Sequence, residues 1–311
     1  MTHAHRLREL LAGRRILVVP GAADAITARV IERAGFPAVY ATGAGFANAS
    51  FGLPDVGLVS SDAVVAHVGR LADVLSVPVI ADADTGFGGV LNVHRTVRQL
   101  ERAGAAAIQL EDQVSPKRCG HFDGKAVVAR QTMLDKLAAA LDSRDDPDLV
   151  IIARTDAYAV EGFEASVERA QAYAAAGADM IFVEAPRTVE ELRLLPGLID
   201  APLVANMVEG GKTPLLTVAE LGEMGFRMAL YANTALRVAV AAVQRAMESL
   251  RDGGGSHLLL EDMISWDDRQ SLVGLEKFQQ MEDQYLNAES AAPASPAVAS
   301  PADGGAARLI G

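Results

Sequence analysis

An eightfold alternation constrains this chain more than any other feature. Short, near-continuous apolar runs lie at 16–19, 38–41, 79–82, 107–110, 150–154, 180–183, 203–205 and 228–231. Uninterrupted apolar runs mark strands buried on both faces, as in a parallel sheet. The segments 24–34, 61–75, 91–103, 130–141, 164–175 and 218–224 between them repeat apolar residues with helical period. Eight strands alternating with helices predict one α/β domain, a (β/α)₈ TIM-type barrel over 15–253, rather than two smaller domains. A weak internal repeat agrees: Gly35, Gly104, Gly177 and Gly225 each stand between a helical segment and a strand. A left-handed residue ending a helix is expected at such positions.

The flanks read differently. Residues 1–14 predict a helical segment without the apolar core of a signal peptide. Beyond the eighth strand, 233–251 reads as a long helix, broken by glycines at 253–255. Further helical stretches follow at about 258–265 and 266–286. A barrel does not require them, so 254–287 is read as a C-terminal extension that contacts another subunit. From 288 to 311 the composition collapses to Ala, Pro, Ser and Gly, too poor in apolar residues to offset ordering entropy, and disorder is expected.

Composition excludes other classes. Lys and Arg total 28 against 40 Asp and Glu, a net charge of −12. That argues against nucleic acid and anionic membranes as partners. No stretch reaches the about 20 apolar residues of a membrane span. The single cysteine, Cys119, rules out an internal disulfide and points to a reducing, cytoplasmic setting.

Polar residues gather just after the strand ends, which in a barrel all open on the catalytic face. Thr42, Gly43 and Ala44 follow the second run. Asp82-Ala83-Asp84 follows the third, with Glu111 after the fourth, Arg154 at the end of the fifth, Glu184 after the sixth and Asn206 after the seventh. Arg237 lies just beyond the eighth. Asp82 and Asp84 alternate about Ala83 and can approach one hard cation, which takes one or two carboxylates and fills its remaining positions with other oxygens. Alone, the tripeptide fits an ordinary polar loop equally well. Four acids at successive strand ends favour a cation, Mg²⁺ with Mn²⁺ as the alternative. The glycines after Asp84 lack dinucleotide-binding spacing. A second cluster surrounds Cys119 with Lys117, Arg118, Gly120 and His121. Such electropositive surroundings fit a nucleophile or a proton donor, with the cations binding an anionic substrate.

The segment EDQVSPKRCGH (111–121) resembles the signature of the isocitrate lyase and phosphoenolpyruvate mutase superfamily, in its lyase branch. PGAADAITARV (20–30), GLPDVG (52–57), DADTGFG (82–88), ARTDA (153–157), FVEAP (182–186) and NMVEGGKTP (206–214) extend the resemblance over about 15–286. It implies a barrel whose eighth helix is swapped between subunits of a homotetramer, and Mg²⁺ at Asp82 and Asp84 with Glu111 further out. It also implies substrate contacts from Thr42, Gly43, Ala44, Asp55, Lys117, Arg118, Gly120, His121, Glu184, Asn206 and Arg237. Cys119 and Arg154 are implied as catalytic. Tyr40 matches a residue tied to proton transfer, though a strand aromatic packed inside the barrel explains it as well. Thr42-Gly43-Ala44 departs from the Ser-Gly-Gly of methylisocitrate lyases, and Ala232 replaces a frequent proline. These departures favour a smaller substituted malate over a tricarboxylate.

The expected chemistry is Mg²⁺-dependent C–C cleavage of a 2-hydroxy-dicarboxylate to a 2-oxo acid and a carboxylic acid. Oxaloacetate hydrolysis or decarboxylation and a phosphonomutase reaction are the alternatives on the same scaffold. His3, His5, His67, His94 and His257 are assigned to packing, surface or flexible segments, Arg144 to a solvated loop, and Trp266 to packing of a C-terminal helix.

Overall fold

The computed structural model describes residues 2–118, 120 and 124–290. Cys119, His121 and residues 291–311 of the expected tail therefore lie outside the described residues. The chain divides into two compact units, Met1–Met263 and Ile264–Gly311.

The first unit is the predicted barrel. Its strands are β1 (Leu17–Ala22), β2 (Val39–Ala41), β3 (Val79–Asp82), β4 (Ala105–Glu111), β5 (Val150–Thr155), β6 (Met180–Val183), β7 (Leu203–Asn206) and β8 (Met228–Tyr231). All neighbours pair in parallel, in sequence order, and β8 closes on β1 with Leu17 opposite Met228 and Pro20 opposite Tyr231. Around it run α1 (His3–Ala12), α2 (Ala25–Arg33), α3 (Gly43–Phe51), α4 (Ser61–Ala72), α5 (Val90–Arg102), α6 (Arg130–Asp142), α7 (Tyr158–Glu161), α8 (Phe163–Ala175), α9 (Val189–Leu198), α10 (Val218–Met224) and α11 (Thr234–Arg251). A 3₁₀ segment, Ser256–Asp262, stands where helix was expected at 258–265.

Side chains alternate along each strand, and two buried clusters follow. Val19, Tyr40, Ile80, Ala107, Ile152, Phe182, Val204 and Leu230 fill the barrel interior, together with Leu7 of α1. Val39, Ala81, Ile108, Ile151, Ala153, Ile181 and Ala205 face outward against the helices, with Val97, Leu137 and Leu221 among their partners. The site follows from this period. Stepping two residues on from the interior set reaches Thr42, Asp82, Arg154, Glu184, Asn206 and Ala232. On β4 the same parity carries Ala107 through Gln109 to Glu111.

Caps set several helix starts. Asp24, Thr42, Ser60, Thr188 and Thr217 each accept a backbone N–H from the first turn. Gly35, Gly104, Gly177 and Gly225 take φ of +91°, +96°, +99° and +108°, the left-handed backbone expected of them.

Three expectations are corrected. The 266–286 stretch, in the second unit, is two helices, α12 (Trp266–Val273) and α13 (Leu275–Ser290), because Gly274 turns left-handed at φ +74°. Trp266 is 70% exposed and lies beneath the Arg269 guanidinium rather than packing in a core. Arg144 is not simply solvated: it donates to Asp179 Oδ2 at 2.9 Å and to the Leu149 carbonyl at 2.9 Å. Arg8 of α1 binds the other Asp179 oxygen at 2.9 Å, so the pair anchors α1 to the barrel. His67 is buried and stacks on Phe46, the packing role assigned to it.

Candidate active site

The catalytic-face cleft is lined by Tyr40, Thr42, Ala44, Asp55, Asp82, Glu111, Lys117, Arg118, Gly120, Arg154, Glu184 and Asn206. Phe182, Val208, Leu230 and Ala232 supply an apolar wall, and Asn233 completes it. Twelve of the residues expected from the sequence thus converge. Arg237 does not. It is largely exposed and ion-pairs Glu209 at 3.6 Å.

At the acidic end, Gly43 N–H donates to Asp82 Oδ2 at 3.3 Å. A Cβ added at Gly43 would stand 3.0 Å from Asp82 Oδ2 and 3.6 Å from Asp84 Oδ1, so both carboxylates border one small cradle. Lys117 Nζ lies 2.8 Å from Asp84 Oδ1 and also donates to Asp55 Oδ1. Burial, opposed by Lys117 and reinforced by Asp82, raises the Asp84 carboxyl to about 6. Burial likewise lifts Glu111 well above the usual carboxylate range, although Arg154 opposes it. Among the described residues, the buried Glu111 Oε1 receives no hydrogen bond, while Asp84 Oδ1 has only the Lys117 ammonium. Buried, crowded carboxylates of this kind are what a divalent cation relieves. No three His, Cys, Asp or Glu donors among the described residues converge on one point by themselves. Mg²⁺ needs only one or two carboxylates, so the set fits that ion.

Tyr40 is buried in the interior layer. Burial first, then the Asp82 charge and its hydrogen bond, push the phenol well above its ordinary value. The ring therefore holds its proton and donates it to Asp82.

Arg154 lines the same cleft. Its Nε and Nη2 donate to Asp156 Oδ2 and Oδ1 at 2.9 and 3.0 Å, a bidentate clamp. Glu111 lies 3.4 Å and Glu184 3.7 Å away, and the guanidinium covers the Phe182 ring at 5.0 Å. Burial works against the cation, but Asp156, Glu184 and Glu111 more than offset it. Asp156 is in turn held by Asp112, which accepts its N–H at 2.9 Å and the hydroxyls of Thr155 and Tyr173 at 2.7 and 2.8 Å. Gly120 has no room for a side chain: an added Cβ would collide with Glu184 and Arg154.

Several contributors escaped the sequence reading. Asn233 accepts the Thr42 hydroxyl at 3.2 Å, and Lys136 of α6 reaches the Thr85 carbonyl at 2.8 Å, under the loop that carries Asp84. Asp156, a polar residue at the end of the fifth strand and inside the ARTDA motif, is placed on this face by the sequence, and only its role as the clamp on Arg154 is new. Asp84, Phe87 and Ala185 hold positive φ of +47°, +58° and +57°, so backbone strain sits at the ends of β3 and β6.

A closed parallel barrel with paired acids and a clamped arginine at its carboxyl face has the layout of a (β/α)₈ enzyme. Residues 7–251 match the family model described as phosphoenolpyruvate phosphomutase, and the chain belongs to the PEP mutase/isocitrate lyase superfamily, as one of its lyases. It is 45% identical over 285 residues to the 2,3-dimethylmalate lyase of Eubacterium barkeri, covering 92% of this chain and 99% of that protein. It is 43% identical to the 2-methylisocitrate lyase of Shewanella oneidensis, covering 91% and 97%. A solved oxaloacetate acetylhydrolase bound to 3,3-difluorooxalacetate superposes with a TM-score of 0.86 at 34% identity, over 91% of this chain and 97% of that one.

Proposed function

We propose that the protein is a divalent-cation-dependent carbon–carbon lyase. Its substrate is a substituted malate or 2-methylisocitrate-type 2-hydroxy-dicarboxylate, and its products are a 2-oxo acid, pyruvate for dimethylmalate, and a carboxylic acid. One observation carries this reading. One cleft is lined by Asp82, which with Asp84 borders the Gly43 cradle, by the Asp156-clamped Arg154, and by the apolar Phe182, Val208, Leu230 and Ala232. The apolar wall offers a place to alkyl groups and favours a methyl-substituted malate over a third carboxylate.

Asp82 and Asp84 would hold Mg²⁺ or Mn²⁺, with Glu111 further out. Bound there, the ion supplies Lewis acidity that lowers the pKa of the substrate hydroxyl. The chain's own groups do the rest. Lys117 balances the acids beside the cradle. Tyr40, as a neutral phenol, orients Asp82. The substrate hydroxyl gives its proton to solvent, and the oxygen's electrons form the C=O of the 2-oxo acid as the C–C bond breaks. The bond's electron pair leaves on the departing acid as an enediolate, and Arg154 stabilises that charge. Cys119, assigned from the sequence, then delivers a proton to the carbanion carbon.

The α11 helix supports an oligomer. Among its described residues none is buried, and Val240, Val243, Met247 and Leu250 share one exposed face at helical spacing. We read that face as the contact with a second copy.

Likeness to the acetylhydrolase favours one competing reading, in which oxaloacetate is hydrolysed in the same cleft. Incubating the Mg²⁺-loaded protein with 2,3-dimethylmalate, 2-methylisocitrate, oxaloacetate and a phosphonopyruvate separates the readings. Pyruvate release from the substituted malate is expected. Turnover of oxaloacetate alone would replace the lyase with the hydrolase, and turnover of the phosphonate alone with the mutase.

A further inference from the structure

Lys125 lies outside the cleft lining, yet its side chain is 1% exposed. An ammonium is buried to that degree only when its charge and protons are satisfied. Nζ donates to Asp156 Oδ1 at 2.7 Å and to the Gly120 carbonyl. Asp156 Oδ1 is also the oxygen that receives Arg154 Nη2 at 3.0 Å. One ammonium therefore joins the backbone of a cleft residue to the carboxylate that aims the cleft's arginine.

The chain around Lys125 is fixed from other directions. Gln113 and Val127 form an antiparallel bridge where the segment leaves and rejoins the barrel. Inside it, the Gln113 side chain accepts the Arg118 N–H at 2.9 Å and donates to the Arg118 carbonyl at 2.8 Å. Those contacts hold the residues before 119. Lys125 holds the residue after it. Because Gly120 packs against Glu184 and Arg154 without space for a methyl group, small shifts of its backbone change the cleft directly.

We propose that Lys125 is a positioning residue that sets Gly120 and Arg154 in register with each other. It touches neither substrate nor cation and acts through Asp156 and the Gly120 carbonyl. The proposal rests on the lyase reading for its kinetic consequence but not for its structural one.

The test compares Lys125→Met, which keeps the stem and loses the donor, with Lys125→Arg, which keeps the charge. Lys125→Met is expected to lower kcat on the substituted malate about a hundredfold, the scale of a small misplacement of reacting groups. Affinity for oxalate with Mg²⁺, which reports the Asp82–Asp84 end, should stay within about threefold, and Lys125→Arg should recover roughly a tenth of the wild-type rate. A readout independent of activity is alkylation of Cys119 by iodoacetamide, since it is the chain's single cysteine and adjoins Gly120. Lys125→Met should change that rate at least about fivefold. If the wild type cleaves no acid in the panel, the lyase reading fails and the alkylation rate alone decides the role of Lys125. An unchanged alkylation rate with kcat within twofold of wild type would overturn the proposal. So would an arginine variant no better than the methionine one, or loss of folded protein in both, which would make Lys125 a residue of the fold.

Discussion

Lys117 places Nζ 2.8 Å from Asp84 Oδ1, and both side chains are nearly sealed from water. The contact joins the segment after β4 to the loop after β3. It supplies positive charge to a carboxylate whose pKa burial raises to about 6. A cation entering the cradle shares Asp84 with this ammonium, so the two charges are linked. Asp84→Asn is expected to weaken Mg²⁺ binding and lower cleavage by at least about a hundredfold. Thermal stability of the metal-free protein should change little, because Asn relieves the crowding with Asp82 while Lys117 keeps Asp55. Calorimetric Mg²⁺ titration and a melting curve check both halves.

The proton donor is tested at Cys119. Cys119→Ser should lower cleavage by roughly 10²–10⁴-fold, the range for a lost general acid. Metal-dependent oxalate binding should persist. Full activity in the variant would remove the acid role and move the chemistry toward a hydrolase or mutase.

His67 makes an acid-stability prediction. Burial first, then Arg70, lowers its pKa from 6.5 to about 4. The unfolded chain therefore takes up a proton in this window that the folded ring refuses. The contribution is fully present above 6.5 and is lost as pH falls toward 4. Its size is at most about 3 kcal/mol. His67→Phe should flatten the fall in melting temperature between these limits. Subtracting the two profiles cancels Asp84, which titrates in both proteins. Parallel profiles would show that His67 contributes nothing there.

The exposed face of α11 is tested by charge. Val243 and Met247 are 58% and 52% exposed within one chain. Replacing both with Glu should dissociate the assembly in sedimentation equilibrium and leave the far-ultraviolet spectrum unchanged. An unaltered mass would place the contact elsewhere.

Strands were the most legible part of the sequence, since eight buried parallel strands leave eight apolar runs. Even so, β4 extends to Ala105 and Glu111, because alanines and a buried acid carry little hydropathy signal. Two helices were hard to read. The α3 helix, GAGFANASF, spreads its apolar residues over more than one face, and α9 has apolar residues at helical spacing but contains Pro196. The carboxylates and Arg154 were readable because each sits one inward step past a strand's core residues. Lys125, Asn233 and Lys136 were not. Their partners lie 31, 191 and 51 residues away, and only the folded barrel brings them together. Arg237 shows the converse: its position in the sequence promised the cleft, and Glu209 draws it aside.

Gly21, opposite Tyr40 on β1, has no room for a side chain either, because an added Cβ would run into the Ala232 backbone past the end of β8. At this one point the first strand leaves the chain after the last no space beyond a hydrogen atom. For half-barrel recombination between relatives, this sets a compatibility requirement. A donor that brings the first half must bring glycine at this position, whatever else it changes, or the ring will not shut.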